Sequence, residues 1–93
     1  MNRPLVSTER FERAYRRLNS LDQQIVDGAV FRLARYLETR QASVGLGVKK
    51  LGTGIFEVRV GLSLRIVYIK EGPKVFLALL GNHDEVRRFL SRQ

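Results

Sequence analysis

The stretch GIFEVRVGLSLRIVY, residues 54–68, alternates apolar and polar side chains on either side of Gly61. A period of two is typical of β-strands that bury one face, and glycine is common in the short loop between two such strands. The stretch therefore predicts an antiparallel β-hairpin, with strands over about residues 55–60 and 64–70.

The register of this hairpin follows from which side chains can be buried together. The apolar residues of both strands share one face only if Val58 pairs with Ile66, which leaves a three-residue loop over residues 61–63. A two-residue turn would instead place Val58 opposite Arg65 and bury a charge. We therefore expect the three-residue loop.

This register places two arginines, Arg59 and Arg65, directly opposite each other on the face that the apolar side chains leave free. Like charges in that arrangement destabilise a sheet, whereas two guanidinium groups can bind one phosphate between them. Glu57 is expected diagonally from Arg65, where it could neutralise the pair in a purely structural network. The pair is therefore a candidate anion-binding site, with a surface ion network as the alternative.

Helical periodicity precedes the hairpin, over residues 8–40. A first helix is predicted from about Glu9 to Leu18. A second, of about five turns, is predicted to begin with Ser20 as its N-cap and Gln23 completing a capping box. Its apolar face is predicted from residues that recur every four positions, widened by two valines: Leu21, Ile25, Ala29, Leu33 and Leu37, with Val26 and Val30. The two helices would form an antiparallel helical hairpin.

The remaining segments complete an α+β fold. The segment RPLVS, residues 3–7, is expected to be a brief edge strand, and residues 41–54 a long loop. The apolar run KVFLALL, residues 74–80, predicts a strand covered on both faces, and Asn82 with Glu85 predicts a capped, short final helix. The expected order is β-α-α-β-β-β plus a short C-terminal helix, with the N-terminal helical hairpin packed on a small antiparallel sheet.

The composition favours a polyanionic partner. Seventeen lysines and arginines against nine acidic residues give a net charge of +8, and thirteen of the seventeen are arginine. Such a balance points to nucleic acid, an acidic protein or an anionic membrane, with a merely solvated basic surface as the alternative.

Several kinds of chemistry are excluded by the residues that the chain lacks. Without cysteine there is no disulfide, thiolate metal site or cysteine nucleophile, and one histidine gives no metal-ligand spacing. No apolar run approaches the roughly 20 residues that cross a bilayer, and the first ten residues show no signal-peptide pattern. We therefore expect a cytoplasmic protein with no metal, no cofactor and no membrane partner.

The single histidine, His83, follows the last predicted strand at the start of the final helix. Histidine titrates near neutral pH and is the usual proton carrier in catalysis. His83 is therefore a candidate general acid or base, with a helix-start residue of no special role as the alternative.

The order of these parts resembles the RelE/ParE superfamily, the bacterial and archaeal toxins of type II toxin–antitoxin pairs. The resemblance rests on VRVG at residues 58–61, RIVY at 65–68 and GNHDEV at 81–86, and it covers nearly the whole chain. It implies a RelE-like fold and a single toxin domain over residues 1–93.

The resemblance also implies a function. Toxins of the RelE branch are ribosome-dependent, metal-independent mRNA endoribonucleases that inhibit translation, and the 2′-hydroxyl attacks its own 3′-phosphate. A cognate antitoxin of the RelB type, with an acidic or amphipathic segment, neutralises them. By this resemblance Arg65 matches the catalytic arginine, Arg59 a basic position on the preceding strand, and His83 the general acid.

The general base is left open by the resemblance. Glu57 and the pair Lys49 and Lys50 are candidates, because some members use a carboxylate and others use lysines. Arg87 or Arg88 stands where the lysine-using branch has a tyrosine. The residues expected to bind RNA or phosphate are Lys49, Lys50, Arg59, Arg65, Arg87 and Arg88.

Two other functions compete with the nuclease. ParE-like toxins keep the fold, lack the nuclease and poison DNA gyrase. A catalytically inactive basic nucleic-acid-binding module is the third possibility, and it ranks last because Phe56 and Tyr68 are expected on the core side, unavailable for stacking on bases. The presence of Arg65 together with His83 favours the nuclease.

Overall fold

A five-stranded sheet with helices on both faces makes up the part of the chain that the computed structural model describes, residues 5–40 and 46–92. The elements are β1 (Leu5–Ser7), α1 (Glu9–Arg16), α2 (Ser20–Thr39), β2 (Val48–Gly52), β3 (Ile55–Val60), β4 (Leu64–Glu71), β5 (Lys74–Gly81) and α3 (His83–Ser91). The strand order is β1-β5-β4-β3-β2, in which β1 pairs parallel with β5 and the other neighbours are antiparallel. The α+β fold with a brief N-terminal edge strand is confirmed.

The β3–β4 register is the one predicted. Val58 pairs with Ile66 and Arg59 with Arg65. Residues 61–63 form the loop, and Gly61 has a φ of 62°, a backbone conformation that glycine adopts without steric cost. The two arginines therefore do lie directly opposite each other.

The loop predicted over residues 41–54 is wrong in part, because residues 48–52 form β2, an edge strand paired with β3. A β-bulge between Lys50 and Gly52 shifts the register of this strand. Val48 packs against one core and Leu51 against the other, because residues three apart in a strand point to opposite sides. The segment therefore has no face on which apolar residues recur, which is the usual signal of a strand. The rest of the predicted loop includes residues 41–45, which lie outside the described residues.

The helix ends differ from the predicted ones by one or two residues. The first helix ends at Arg16 rather than Leu18. The N-cap of α2 is Asn19, whose side-chain oxygen accepts a hydrogen bond from the Asp22 backbone N at 2.8 Å, so Ser20 as the cap is wrong. Gln23 completes no capping box, because its side-chain amide donates to the carbonyl of Tyr15 at 3.0 Å.

The buried face of α2 is the predicted one except at its first turns. Leu21 is 65% exposed and Ile25 is 39% exposed. A strict four-residue repeat advances about 40° around the helix at each step, since each residue turns 100°, and therefore leaves the buried side over several turns. The buried residues are Val26, Ala29, Leu33 and Leu37, a stripe with one three-residue step.

No helix among the described residues is long and apolar enough to span a membrane.

Each face of the sheet has its own core. On one face, Phe11 of α1 and Leu33 of α2 pack with Ile66 and Leu77 of the sheet. On the other face, residues of α3 pack on β4 and β5, with the cluster Val67, Ala78, Leu79, Val86 and Phe89. The strand β5 lies between β1 and β4 and contributes to both cores, which confirms the prediction that it is covered on both sides. The helix α3 packs on β4 and β5, and Arg59 of β3 is exposed while Glu57 of the same strand is buried.

We predict that the stability of the fold depends on the protonation of Tyr68. This residue is 1% exposed and stacks on Phe56 with 5.2 Å between the ring centroids. Burial raises the pKa of Tyr68 to about 12, so the folded state favours the neutral phenol. That contribution is fully present below the unfolded pKa near 10 and is lost as the pH rises from about 10 to 12.

Urea unfolding followed by far-ultraviolet circular dichroism between pH 9 and pH 12 measures this loss. We expect the midpoint of the wild type to fall more steeply with pH than that of Tyr68→Phe, which has no phenol to ionise. Parallel declines of the two proteins would contradict the assignment.

Candidate anion-binding site

Three strands bring four charged residues to the sheet face opposite α1 and α2. Lys49 of β2 pairs with Glu57 of β3, and Arg59 of β3 pairs with Arg65 of β4. The partner of Glu57 on β4 is Val67, which belongs to the core beneath α3. We call Lys49, Glu57, Arg59 and Arg65 the arginine face. It carries three cations and one carboxylate.

Glu57 and Arg65 form an ion pair within this face. The Arg65 Nη1 donates to the Glu57 Oε2 at 3.1 Å, and their side chains are 8% (Glu57) and 20% (Arg65) exposed. A carboxylate this buried needs a charged or hydrogen-bonding partner to offset its lost hydration. The pair therefore fixes the orientation of the Arg65 guanidinium, and it leaves the remaining N–H groups of that side chain for another acceptor.

Arg59 has no such partner in the described part of the chain. Its side chain is exposed, and no carboxylate of residues 5–40 and 46–92 lies within 4.0 Å of its guanidinium. Glu57 therefore neutralises one arginine of the opposed pair and leaves the other uncompensated. This arrangement differs from a closed surface network, because the face retains a net positive charge.

An open cavity of about 510 Å³ adjoins these charges. Its lining consists of Gly47, Val48, Lys49, Glu57 and Arg59. The cavity places the exposed Arg59 and Lys49 on the walls of one space, so a bound anion could contact both cations.

Lys50 is not part of this face. It pairs with Phe56, whose ring packs on the core beneath α1 and α2. Because neighbouring residues of a strand point to opposite sides, the strand β2 separates Lys49 from Lys50. A loop over residues 41–54 predicts no such separation of the two lysines, which follows from the strand β2.

The helix α3 starts beside Arg65. Gly81, the last residue of β5, pairs with Arg65, and His83 is the first helical residue two positions later, with an exposed side chain. Asn82 caps the helix in the predicted capping box with Glu85. A Cβ on Gly81 would lie 2.9 Å from the Glu85 carboxyl, so only glycine leaves room for that box.

The exposed residues of α3 divide between its two flanks. At 100° per residue, His83 and Arg87 lie on one side of the buried Val86 and Phe89, and Glu85 with Arg88 on the other. Glu85 lines a cavity shared with α1, so the flank with His83 and Arg87 is the one turned towards the arginine face. By this periodicity His83 and Arg87 lie on the flank nearer Arg65, whereas Arg88 lies on the other flank. Nowhere in the described ranges do three histidine, cysteine or acidic side chains gather as a metal site would require.

The fold is similar to that of three solved structures. A copper-bound mutant toxin from Helicobacter pylori aligns with a TM-score of 0.67 at 18% identity, covering 92% of this chain and 99% of that one. The RelB–RelE antitoxin–toxin complex from Methanococcus jannaschii gives 0.65 at 12% identity, covering 90% and 96%. The conserved hypothetical protein HP0894 from Helicobacter pylori gives 0.57 at 19% identity, covering 92% and 99%. Neither a protein-family model nor a curated protein matches the sequence. The protein therefore has a RelE-like fold.

We predict that Glu57 and Arg65 are energetically coupled. A double-mutant cycle with Glu57→Ala and Arg65→Ala should give a coupling free energy of about 1–3 kcal/mol, since removing either partner leaves the other charge half-buried and unpaired. Urea unfolding of the four proteins measures this coupling.

The matched control is a cycle on Glu9 and Arg13, which are exposed and four residues apart on α1. We expect about 0.3–0.5 kcal/mol or less there. A Glu57–Arg65 coupling as small as that of the control would mean that the pair does not orient Arg65.

Proposed function

We propose that the protein is the toxin of a type II toxin–antitoxin system and acts as a ribosome-dependent, metal-independent mRNA endoribonuclease that inhibits translation. In this proposal residues 1–93 form a single toxin domain of the cytoplasm. The observation that carries the proposal is the arginine face, where Arg59 and Arg65 lie opposite each other on an open surface of a RelE-like fold.

The reaction that this face suits is transphosphorylation. The 2′-hydroxyl of the RNA attacks its own 3′-phosphate, the bond to the 5′-oxygen of the next nucleotide breaks, and negative charge builds up on the phosphate oxygens. Preorganised cations lower the barrier because they stabilise that charge as it develops. Arg65, held by Glu57, and the exposed Arg59 are the proposed phosphate ligands.

Proton transfer needs two more groups. His83, exposed at the start of α3 on the flank turned towards the arginine face, is the proposed acid for the leaving 5′-oxygen. The base that takes the proton of the 2′-hydroxyl is Glu57 or Lys49, which pair across β2 and β3. Lys50 lies on the opposite side of the sheet and is not proposed as the base.

The proposed partners are the ribosome with its mRNA, and a cognate antitoxin of the RelB type. One of the similar structures is a complex of RelE with RelB. A chain of net charge +8 with an uncompensated Arg59 would attract an acidic segment, and such a segment covering the arginine face would exclude the RNA phosphate.

Induced expression of the chain in a bacterial host tests this proposal, with mRNA 5′ ends mapped and translation and DNA breaks followed in parallel. We expect new in-frame cuts within translated messages for the wild type. They should disappear in Arg59→Gln and in Arg65→Ala, and persist in Arg32→Gln, which removes one exposed charge from α2.

Circular dichroism of the purified variants identifies any loss of fold. Arg59→Gln matters most here, because Arg59 forms no ion pair in the described part of the chain and its replacement leaves Glu57 paired. Double-strand DNA breaks with intact messages would overturn the nuclease and favour a ParE-like gyrase poison.

We predict that His83→Ala lowers the rate of cleavage by about 10²–10⁴-fold, the usual contribution of a general acid. Cleavage of a stalled ribosomal complex, followed over time, measures the rate constant. The unfolding midpoint should stay close to that of the wild type, because the His83 side chain is exposed. An unchanged rate would remove His83 from the mechanism while leaving the role of the arginines intact.

A further inference from the structure

A second group of arginines lies on α1, away from the arginine face. Arg10, Arg13 and Arg17 follow each other at three- and four-residue spacing, so they fall within about 60° of one side of the helix. We call these three residues the α1 arginine row. All three are exposed, and the proposed cleavage chemistry uses none of them.

The row lines a cavity of about 170 Å³ between α1, the end of β5 and α3. The other lining residues are Ala14, Leu79, Leu80 and Glu85. Arg10, the first residue of the row, makes a cation–π contact with Phe89, because its guanidinium lies 5.4 Å from the centroid of that ring. A cation in that position is stabilised by the ring, and its N–H donors stay available at the edge of the cavity.

The positive charge of the row is not compensated within the described part of the chain. None of the three arginines has a carboxylate within 4.0 Å there. Glu85, the one acid of the cavity, already accepts a hydrogen bond from the Asn82 backbone N at 3.0 Å as part of the capping box. Three cations therefore face one carboxylate that is engaged elsewhere.

The acids of α1 offset this charge only weakly, because Glu9, four residues from Arg13, forms no salt bridge with it. Glu12 lines a different cavity with Tyr15 and Asp27, between α1 and α2. Like charges three and four residues apart destabilise a helix by a few tenths of a kcal/mol each. The row thus concentrates repulsion on one side of α1, and a bound anion would offset it.

The length of the row indicates what kind of anion fits. From Arg10 to Arg17 the helix rises about 10 Å, which is longer than a single phosphate group. Arginine forks bind phosphate oxygens in pairs, so three of them in line suit consecutive phosphates of a polynucleotide. An isolated inorganic anion would contact only part of the row.

We propose that the α1 arginine row is a second RNA-binding site, which holds the phosphodiester backbone of an RNA segment that is not being cleaved. The site lies on the Glu85 flank of α3, whereas His83 and the arginine face lie on the other flank. RNA bound at both places would cross α3, so the row would anchor the substrate complex without touching the reacting phosphate. This inference goes beyond the proposed function, since the row binds backbone whether or not the protein cleaves it.

Binding of a fluorescent, 20-nucleotide single-stranded RNA tests the site. The probe carries 2′-O-methyl groups, so it cannot be cleaved through its 2′-oxygen. We compare the wild type with the triple variant Arg10→Gln, Arg13→Gln and Arg17→Gln. The control is the triple variant Arg16→Gln, Arg32→Gln and Arg35→Gln, which removes the same charge from exposed positions elsewhere on the helices.

At 100 mM KCl we expect the row variant to bind at least tenfold more weakly than the wild type, and the control less than threefold more weakly. Each phosphate contact on a single strand contributes about 0.7 to the slope of log K against log salt concentration. The slope should therefore fall by about 2 in the row variant and little in the control. Equal losses in the two variants, or an unchanged row variant, would overturn the proposal.

A second measurement uses only the wild-type protein, so its result does not depend on whether the triple variant folds correctly. Titration of the ¹⁵N-labelled protein with the same RNA should shift the backbone amide signals of Ala14, Leu79 and Leu80, which line the cavity. An absence of shifts at these residues would overturn the site. Because neither experiment measures cleavage, a failed nuclease assay leaves this result standing, and a failed binding test leaves the nuclease standing.

Discussion

The pairing of Val58 with Ile66 is the contact on which the rest of the structure depends. Both side chains are fully buried, and a slip of one residue would exchange the two faces of the strand. Such a slip would turn the arginine of the displaced strand towards the core beneath α1 and α2 and expose that strand's apolar residues. The burial of aliphatic side chains on one side of β3 and β4 therefore holds the charged side chains together on the other.

A second feature that decides which charged side chains stay accessible is the uneven covering of the sheet by helices. Two helices cover one face, whereas α3 covers only β4 and β5 on the other. The exposed Arg59 and Lys49 lie beyond the part that α3 covers. A short final helix thus does two things: it closes a small apolar core, and it begins with His83 two residues after Gly81, the partner of Arg65.

The sequence was most informative where the structure depends on side chains that are close together in the chain. The β3–β4 register, the opposition of Arg59 and Arg65, and the capping box of α3 could all be derived, because each depends on residues close together in the chain. The strand β2 could not, since its two apolar residues, Val48 and Leu51, face opposite sides and its pairing with β3 is decided by the sheet. The split between Lys49 and Lys50 follows from that strand and was missed with it.

The α1 arginine row was visible in the sequence only as scattered charge on a helix. Its spacing could be read from the chain, but the cavity beside it depends on α3 packing next to α1 from the far end of the sequence. Contacts between distant segments carry no periodic signal. The same reason explains why Leu21 and Ile25 of α2 are exposed although they were predicted on its buried face. The sheet beneath a helix decides which side of it is covered.

The short strand β1 has a consequence for the order in which the chain can fold. Leu5 pairs with Val75, and the Thr8 hydroxyl donates to the carbonyl of Leu77 at 2.8 Å, so the beginning of the described chain is fixed by a strand near its end. Contacts so far apart in sequence form slowly and only once both partners exist. During synthesis, β5, which lies between β1 and β4 in the sheet, is made after both of them. Until then the arginine face has no β5 beside it. Until β5 has formed, β4 has no neighbour on that side, and Arg65 lacks its pairing with Gly81.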